Sequence, residues 1–333
     1  MGLMRILIIG GSVFLGRAIT AEALRRGHEV TTFNRGRSGV DLPGVEAVRG
    51  DREVPEDLER LVEGREWDAV IDVIGRVPRV VGESVRRLNG RAGVYTFVSS
   101  ISAIADFPVR ECDESSPRYE CAPDAGPQDG EYGTLKAGCE RAVEEGFEGE
   151  ALIIQPGLIL GPYEDVGRLP WWLDRISRGG RVLAPGDPDR EMQVIDVRDL
   201  AAFVLDRTEA GKADRFLASG VRGNITYGGW LAECRAVTGS DAEFVWVDDR
   251  FLLDREVQPW SEFPVWAPAD PGFAAVWLPS SAKAIAAGLT CRPVAETVRD
   301  TWAWLRDVPP ARRSFRNHGI DPEKEARILA EWA

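Results

Sequence analysis

The segment ILIIGGSVFLGRAITAEALRRG, residues 6–27, constrains the fold more than any other part of the chain. An apolar run, a glycine-rich turn and an amphipathic stretch follow one another, which predicts a buried strand, a tight turn and a helix. Glycine stands at the first and third positions of a G-x-x-G-x-x-G spacing, with valine between. Backbone N–H groups in such a turn, at a helix start, favour a pyrophosphate. A plain strand–helix connection is the alternative to the dinucleotide site that we expect, which comprises Gly10, Ser12, Val13, Phe14, Leu15 and Gly16.

The first 155 residues alternate short apolar runs with amphipathic stretches. This alternation is typical of βαβ units, whose right-handed crossovers build a doubly wound parallel sheet with helices on both faces, the Rossmann arrangement. Strands are predicted at 5–10, 29–33, 45–48, 69–74, 93–98 and 151–155. Helices are predicted near 14–27, 54–63, 77–89 and 131–147. Residues 1–155 are therefore predicted to form the nucleotide-binding domain of an α/β protein.

Residues 156–333 differ from the first part in composition, because nine of the eleven tryptophans lie between positions 171 and 304. We predict a smaller α/β lobe that closes over the strand ends and mainly binds substrate. Its helices are predicted near 168–179, 197–208, 226–238, 280–288 and 293–306, and its strands near 182–184, 215–218 and 243–247. Before it, residues 105–130 are rich in Pro, Asp, Glu and Gly, which predicts a long loop of functional or mobile character.

The end of the second predicted strand, FNRGRS, bears on the choice of dinucleotide. An acidic residue there would accept hydrogen bonds from both ribose hydroxyls of NAD, whereas this chain has Asn34 followed by Arg35 and Arg37. Guanidinium groups suit a 2′-phosphate by charge and geometry, so NADP(H) is favoured and NAD(H) stays open. The alternative is that Arg35 and Arg37 are ordinary surface residues of an arginine-rich loop. The remaining residues predicted to bind the cofactor are Val73, Ile74 and Asp51. Asp51 could accept a hydrogen bond from the adenine amino group, or it could be a solvated acid of the loop.

A tyrosine and a lysine four residues apart, Tyr132 and Lys136, share one face of a predicted helix. Lysine is rare here, with four among 41 basic residues, so an ammonium at this position is informative. A nearby ammonium favours the phenolate form of tyrosine, and it can hydrogen-bond a nicotinamide ribose where a planar guanidinium would fit poorly. The preceding strand ends in FVSS, and a serine there can hold a substrate oxygen while tyrosine transfers the proton. An exposed Tyr–Lys helix pair is the alternative.

Together these segments resemble the short-chain dehydrogenase/reductases of the extended type. The resemblance rests on GGSVFLG, FVSS, YGTLK, QPGLILGP and IDVRDLA, and it covers roughly residues 5–205. It implies that Ser100, rather than Ser99, joins Tyr132 and Lys136 in a catalytic trio. It also implies that the nicotinamide is flanked by Pro156, Leu158 and Ile159. A turn of the GG-x-x-F-x-G kind is similar to that of epimerase-like bacterial proteins and chloroplast stem-loop RNA-binding proteins.

Several positions depart from the patterns of well-known members. Ile101 and Ser102 stand where sugar-nucleotide dehydratases have Asp-Glu, which disfavours dehydration. Where sugar-nucleotide epimerases commonly have Arg, Asn and Tyr, this chain has Gln155, Leu158 and Leu160, which weakens the case for a diphosphate-sugar substrate. The aromatic residues expected either to wall a substrate pocket or to pack the lobe are Trp171, Trp172, Trp260 and Trp266.

Charge and composition limit the function classes. A net charge of −13 opposes nucleic-acid or anionic-membrane binding, and the sequence has no apolar run of membrane-spanning length. The five cysteines have no C-x-x-C spacing, and the simplest interpretation is that they are reduced thiols in a cytoplasm. The chain has only two histidines, too few to favour a histidine-rich metal site or a catalytic triad based on histidine.

We therefore expect a metal-free enzyme that transfers hydride at a secondary alcohol or ketone carbon of a small metabolite. Reduction, oxidation and redox-neutral epimerisation all remain open at this point. The alternative is a protein of the same fold that senses a dinucleotide or binds RNA without catalysis. Members of this superfamily often pair through a four-helix bundle that contains the Tyr–Lys helix, so a homodimer is expected.

Overall fold

The computed structural model describes residues 2–313, 315 and 318–332. The strands are β1 (Arg5–Ile9), β2 (Glu29–Asn34), β3 (Glu46–Arg49), β4 (Ala69–Asp72), β5 (Val94–Val98), β6 (Glu150–Pro156), β7 (Ile159–Leu160), β8 (Arg181–Pro185), β9 (Glu191–Met192), β10 (Ile195–Asp196), β11 (Asp214–Ala218), β12 (Ile225–Thr226) and β13 (Glu243–Val247). The helices are α1 (Phe14–Arg25), α2 (Pro55–Val62), α3 (Pro78–Leu88), α4 (Tyr132–Gly146), α5 (Arg168–Ser177), α6 (Val197–Ala210), α7 (Tyr227–Thr238), α8 (Asp249–Leu253), α9 (Ala282–Ala286), α10 (Val294–Leu305) and α11 (Pro322–Glu331).

The centre of the molecule is a seven-stranded sheet in the order β11-β6-β5-β4-β1-β2-β3, and every pair in it is parallel. Side chains from α1 and α6 cover one face, and those from α2, α3 and α4 cover the other. The predicted doubly wound α/β fold is therefore confirmed. Each predicted strand and helix of the first half begins and ends within two residues of the observed one.

The second half of the chain does not form a separate unit. Strand β11 returns to pair with β6, and helix α6 packs on α1 against the central sheet. The chain therefore crosses back into the central sheet after residue 156. A strand cannot bury both faces alone, and the apolar residues of β11 find their partners only beside β6.

The smaller lobe has its own apolar core between α5, α7, α10 and α11 and the short parallel pair β8 and β13. Three of the tryptophans expected at a pocket wall are buried in or against this core. Trp172 donates its indole N–H to the Pro264 carbonyl at 2.7 Å, and Trp266 donates to Asp249 at 2.8 Å. Trp171 packs edge-on against Trp172 with ring centroids 4.8 Å apart, so Trp171, Trp172 and Trp266 all lie in the apolar core of the lobe.

A buried ion pair fixes the end of β4, directly below the glycine turn. The carboxylate of Asp72 accepts two hydrogen bonds from the Arg52 guanidinium, at 2.9 and 2.8 Å, and one from the Tyr95 hydroxyl at 2.9 Å. It also accepts from the backbone N–H of Ile74 at 3.2 Å. Because neither charged side chain reaches water, each depends on the other.

We expect Asp72→Asn to lower the free energy of unfolding by about 3–5 kcal/mol, because it leaves the Arg52 cation buried without a counter-charge. Chemical denaturation measures the change. Asp254→Asn is the control, since Asp254 pairs with Arg250 on the surface and should change stability by less than about 1 kcal/mol. Equal effects of the two substitutions would contradict this account of the strand end.

In the described part of the chain, no helix combines the length and the hydropathy that a bilayer crossing requires.

Candidate active site

A continuous groove runs along the carboxyl ends of the central strands. Its two cavities measure about 550 and 530 Å³ and share the side chains of Leu15, Val73, Ile74, Arg76 and Val166. The first lies over the glycine turn, and the second lies over the ends of β5 and β6. Ligands of doubly wound sheets bind at this edge, where neighbouring crossovers run to opposite faces.

The glycine turn has the backbone geometry that a dinucleotide requires. Gly10 has φ +114°, and a Cβ added to it would lie 2.6 Å from a methyl group of Val73. A Cβ at Gly16 would lie 2.8 Å from the backbone nitrogen of Gly11, so helix α1 packs closely against the turn. Gly11, at φ +89°, was not among the predicted residues, although it also requires glycine. Helix α1 begins at Phe14, and no acidic residue in its first turn repels an anion there.

The far end of the first cavity holds the residues predicted to face the adenosine. The Asn34 side chain forms four hydrogen bonds within the protein. Its amide nitrogen donates to Gly10 and Asp41, and its amide oxygen accepts from Arg49 and Gly36. Arg35 lies 3.6 Å from Asp51, which neutralises part of its charge. Arg37 lines the same cavity, and no carboxylate of the described residues lies within 4.0 Å of it. Asp41 was missed by the sequence reasoning, because its role depends on a loop folding back.

The two serines after β5 have different environments. Ser99 is buried, and its hydroxyl donates to Glu140 at 2.5 Å. Ser100 lines the second cavity, and its Oγ accepts a hydrogen bond from the backbone N–H of Ser102 at 3.1 Å. The Ser100 hydroxyl donates to none of the described residues, so its hydrogen remains available for a ligand.

Lys136 is almost fully buried, at 4% exposure. Its ammonium donates to the carbonyls of Gly75 and Val98, both at 2.9 Å, and lies 4.5 Å from the ring centroid of Phe97. An ammonium has three hydrogens in a tetrahedral array, so one stays free after these two bonds. Lysine differs from arginine here in what is left over, because a terminal guanidinium nitrogen has only two hydrogens and would keep none for a ligand after bonding two carbonyls.

Tyr132 is the first residue of α4, and its side chain lines the second cavity together with Ser100 and Lys136. About half of the side chain, 51%, is exposed. The structure therefore brings the three predicted side chains to one open cavity, with the phenol at its mouth.

Glu140 is a buried carboxylate that the sequence reasoning did not find. It accepts hydrogen bonds from Ser99 and Gln155, and also from Arg118 at 2.9 Å and Arg215 at 3.0 Å. These partners come from β5, β6, β11 and the 105–130 loop, so Glu140 holds α4 against the sheet. Gln155, which departs from the epimerase pattern, thus has a structural role.

Aromatic residues line the second cavity, but only one of them, Trp260, is among the four tryptophans predicted from the sequence. Trp260 lines it as expected, and Trp277 stands beside it with ring centroids 5.8 Å apart. Phe107, from the 105–130 loop, completes this side. The opposite side is formed by the predicted nicotinamide neighbours Pro156, Leu158 and Ile159.

Other chemistries receive little support from the described residues. Burial raises the pKa of the Cys139 thiol to about 12 and that of Cys112 to about 11, so neither supplies a thiolate near neutral pH. Among residues 2–313, 315 and 318–332, no group of three or more His, Cys, Asp or Glu side chains could hold a metal ion.

Parts of the chain are similar to a known family and to characterised relatives. Residues 6–89 match the model of the NAD dependent epimerase/dehydratase family. The chain is 25% identical over 252 residues to the chloroplast stem-loop binding protein of 41 kDa b of Arabidopsis thaliana, covering 71% of this chain and 63% of that protein. It is 27% identical over 213 residues to 2′-dehydrokanamycin reductase of Streptomyces kanamyceticus, covering 61% of this chain and 57% of that protein. The matches thus span less than two thirds of either relative.

The fold is shared with solved structures over almost its whole length. The enzyme WbmH of Bordetella bronchiseptica, solved in complex with NAD+, superposes with a TM-score of 0.70 over 92% of this chain and 99% of that one, at 16% identity.

Proposed function

We propose that this chain, a member of the extended short-chain dehydrogenase/reductase superfamily, is an NAD(P)-dependent enzyme acting at a secondary alcohol or ketone carbon. The observation that carries the proposal is that Ser100, Tyr132 and Lys136 line one cavity continuous with the glycine turn. A bound nicotinamide dinucleotide supplies or accepts the hydride at that carbon.

The residues present fit such a dinucleotide. Side chains at Gly10, Gly11 and Gly16 would collide with neighbouring strands or with the turn backbone, so glycine keeps the turn tight, and the N-terminus of α1 favours the charge of a pyrophosphate. Val73 and Ile74 lie beneath the turn at the end of β4. The free hydrogen of the Lys136 ammonium would hold the nicotinamide ribose.

Ser100 and Tyr132 act on the substrate oxygen in this proposal. The Ser100 hydroxyl donates to that oxygen, while the bond from the Ser102 backbone N–H holds the Ser100 side chain in place. Tyr132 passes a proton to the oxygen in reduction and removes one in oxidation. The Lys136 charge, one helical turn along α4, stabilises negative charge on the phenol when the proton is away.

We further propose that NADP(H) is the preferred cofactor. Arg37 faces the first cavity without a carboxylate within 4.0 Å among the described residues, and Arg35 is only partly compensated by Asp51. Both guanidinium groups favour a 2′-phosphate.

We expect the double variant Arg35→Ala, Arg37→Ala to lose about 10- to 100-fold of its NADPH affinity, because two charge-assisted contacts to the phosphate disappear. NADH affinity should change less than about 3-fold, since NADH lacks that phosphate. Fluorescence titration of both cofactors measures the effect, with the surface variant Arg60→Ala as control. Equal losses for the two cofactors would contradict the NADP(H) preference.

The non-catalytic alternative has less support. A chain of net charge −13 is poorly suited to RNA, and a sensor would not require a hydroxyl, a phenol and an ammonium in one cavity. Pairing of two chains through a four-helix bundle that contains α4 stays a prediction.

Mass spectrometry of the small molecules released on denaturing freshly purified protein tests the proposed function. NADP(H) would support a reductase, and tightly retained NAD+ would indicate redox-neutral epimerisation. Absence of a dinucleotide, together with no binding of added NADPH or NADH, would contradict the proposal.

A further inference from the structure

The inner part of the second cavity contains two polar side chains that the proposed mechanism leaves unused. Gln193 and Ser219 both line this cavity, and each is only 2% exposed. Among the described residues, Gln193 Oε1 and Ser219 Oγ have no hydrogen-bond partner. Buried polar atoms in proteins are nearly always hydrogen-bonded, so these two atoms indicate a partner that comes from outside the chain.

The amide of Gln193 has a fixed orientation. Its Nε2 donates to the carbonyls of Gly220 at 2.8 Å and Pro279 at 3.1 Å, which uses both amide hydrogens. The flipped amide would place its oxygen against two carbonyl oxygens. Oε1 is therefore an acceptor only, and its partner must present an O–H or N–H group.

Ser219 directly follows β11 and lies beside Gly157. A Cβ added to Gly157 would lie 2.4 Å from the Ser219 hydroxyl, so that hydroxyl occupies space which only glycine leaves open. The backbone N–H of Ser219 donates to Ser281, whereas its Oγ makes no bond among the described residues. No contact within the fold therefore requires the hydroxyl.

The cavity wall beside these two residues is aromatic. Trp260, held at φ +64°, and Trp277 present a tilted pair of rings to the cavity. Two arginines line this cavity: the Nε of Arg168 lies 2.9 Å from the buried carboxylate of Glu164, whereas Arg76 also lines the first cavity, over the glycine turn. The aromatic rings suit the C–H face of a neutral ring, and the paired Arg168 would attract a diphosphate less than a free guanidinium would.

We propose that Gln193, Ser219, Trp260 and Trp277 form the specificity subsite for an uncharged, hydroxylated ring ketone or alcohol. A ring hydroxyl donates to Gln193 Oε1, a second is hydrogen-bonded to Ser219 Oγ, and the ring lies against the indoles. The inference rests on the proposed function, because it assumes that the reacting oxygen lies at Ser100 and Tyr132.

The test compares two ring ketones of one skeleton in the presence of NADP+. Inosose carries a hydroxyl on each carbon other than the carbonyl, and cyclohexanone carries none. Saturation-transfer NMR titration should show inosose binding at least about 10-fold more tightly to the wild-type protein. Ser219→Ala should weaken inosose about 5- to 20-fold and leave cyclohexanone within about 2-fold.

Ser219→Ala should unfold at the wild-type temperature, since no structural bond is lost. Ser177→Ala is the matched control, because the Ser177 hydroxyl donates to the Asp174 carbonyl at the end of α5, and the substitution should leave the affinity for inosose unchanged. Substitution of Gln193 is a poorer probe because it also removes the bonds to Gly220 and Pro279.

Equal wild-type affinities for inosose and cyclohexanone, or unchanged inosose affinity in Ser219→Ala, would overturn the subsite. Tighter binding of UDP-glucose than of inosose would overturn its uncharged character. Turnover of simple alkyl ketones without inosose binding would refute the subsite alone, whereas failure of the wild-type protein to bind NADPH or NADH would refute the proposed function.

Discussion

Tyr132→Phe should lower turnover by about 100- to 10,000-fold while leaving dinucleotide affinity within about 3-fold of the wild type. The phenolic hydroxyl is the group proposed to exchange a proton with the substrate oxygen, and phenylalanine keeps the ring without it. Half of the side chain is exposed at the first position of α4, so the fold should not change. Steady-state kinetics with an identified substrate, alongside cofactor titration, measures both quantities.

Tyr119→Phe provides the control, because it removes a hydroxyl from a tyrosine of the neighbouring 105–130 loop that is not among the cavity-lining residues. Its turnover should be close to that of the wild type. If Tyr132→Phe also retained wild-type turnover, proton transfer would have to be assigned to another group. Loss of dinucleotide affinity in Tyr132→Phe would instead point to a binding role.

Lys136→Arg is expected to reduce turnover by about 100-fold or more and to destabilise the fold by about 1–3 kcal/mol. The ammonium occupies a tight space between two carbonyls and beneath Phe97, whose ring would lie 2.5 Å from a Cβ added to Gly75. A longer, planar guanidinium would displace these groups and move the charge away from Tyr132. Thermal unfolding and kinetics together separate the two consequences.

Lys212→Arg makes the same change on an exposed position and should leave both measurements unaltered. If Lys136→Arg retained stability and more than about a tenth of wild-type turnover, a positive charge alone would suffice, and the compact shape of the ammonium would not matter.

Local patterns were enough to predict the α/β fold and most of its elements. Apolar runs and helical periodicities depend on neighbouring residues, and so the sheet strands and α1 to α4 appear close to where the sequence places them. The same holds for the glycine turn and for the Tyr132–Lys136 spacing, since both are set by residues within one or two helical turns. Their catalytic and binding roles stay predictions.

Local patterns could not predict the partners of buried polar side chains or the positions of the tryptophans, because both depend on contacts between residues far apart in the sequence. Gln155 and Ser99 both bond to Glu140, which stands 15 and 41 residues away, and Asp41 meets Arg49 only because a loop folds back. All four tryptophans considered for the pocket lie in aromatic, proline-rich segments, so their local sequence does not distinguish them. In the structure Trp260 lines the second cavity, whereas Trp171, Trp172 and Trp266 pack in the core of the lobe.

The sequence by itself therefore determined the doubly wound sheet, the glycine turn and the placement of tyrosine and lysine on one helix. Only the tertiary structure decided which tryptophans line the cavity, and that Gln193 Oε1 and Ser219 Oγ have no hydrogen-bond partner in the described part of the chain. The physical reason is that secondary structure follows from neighbours in the chain, whereas the partner of a buried polar group comes from distant segments that packing brings together.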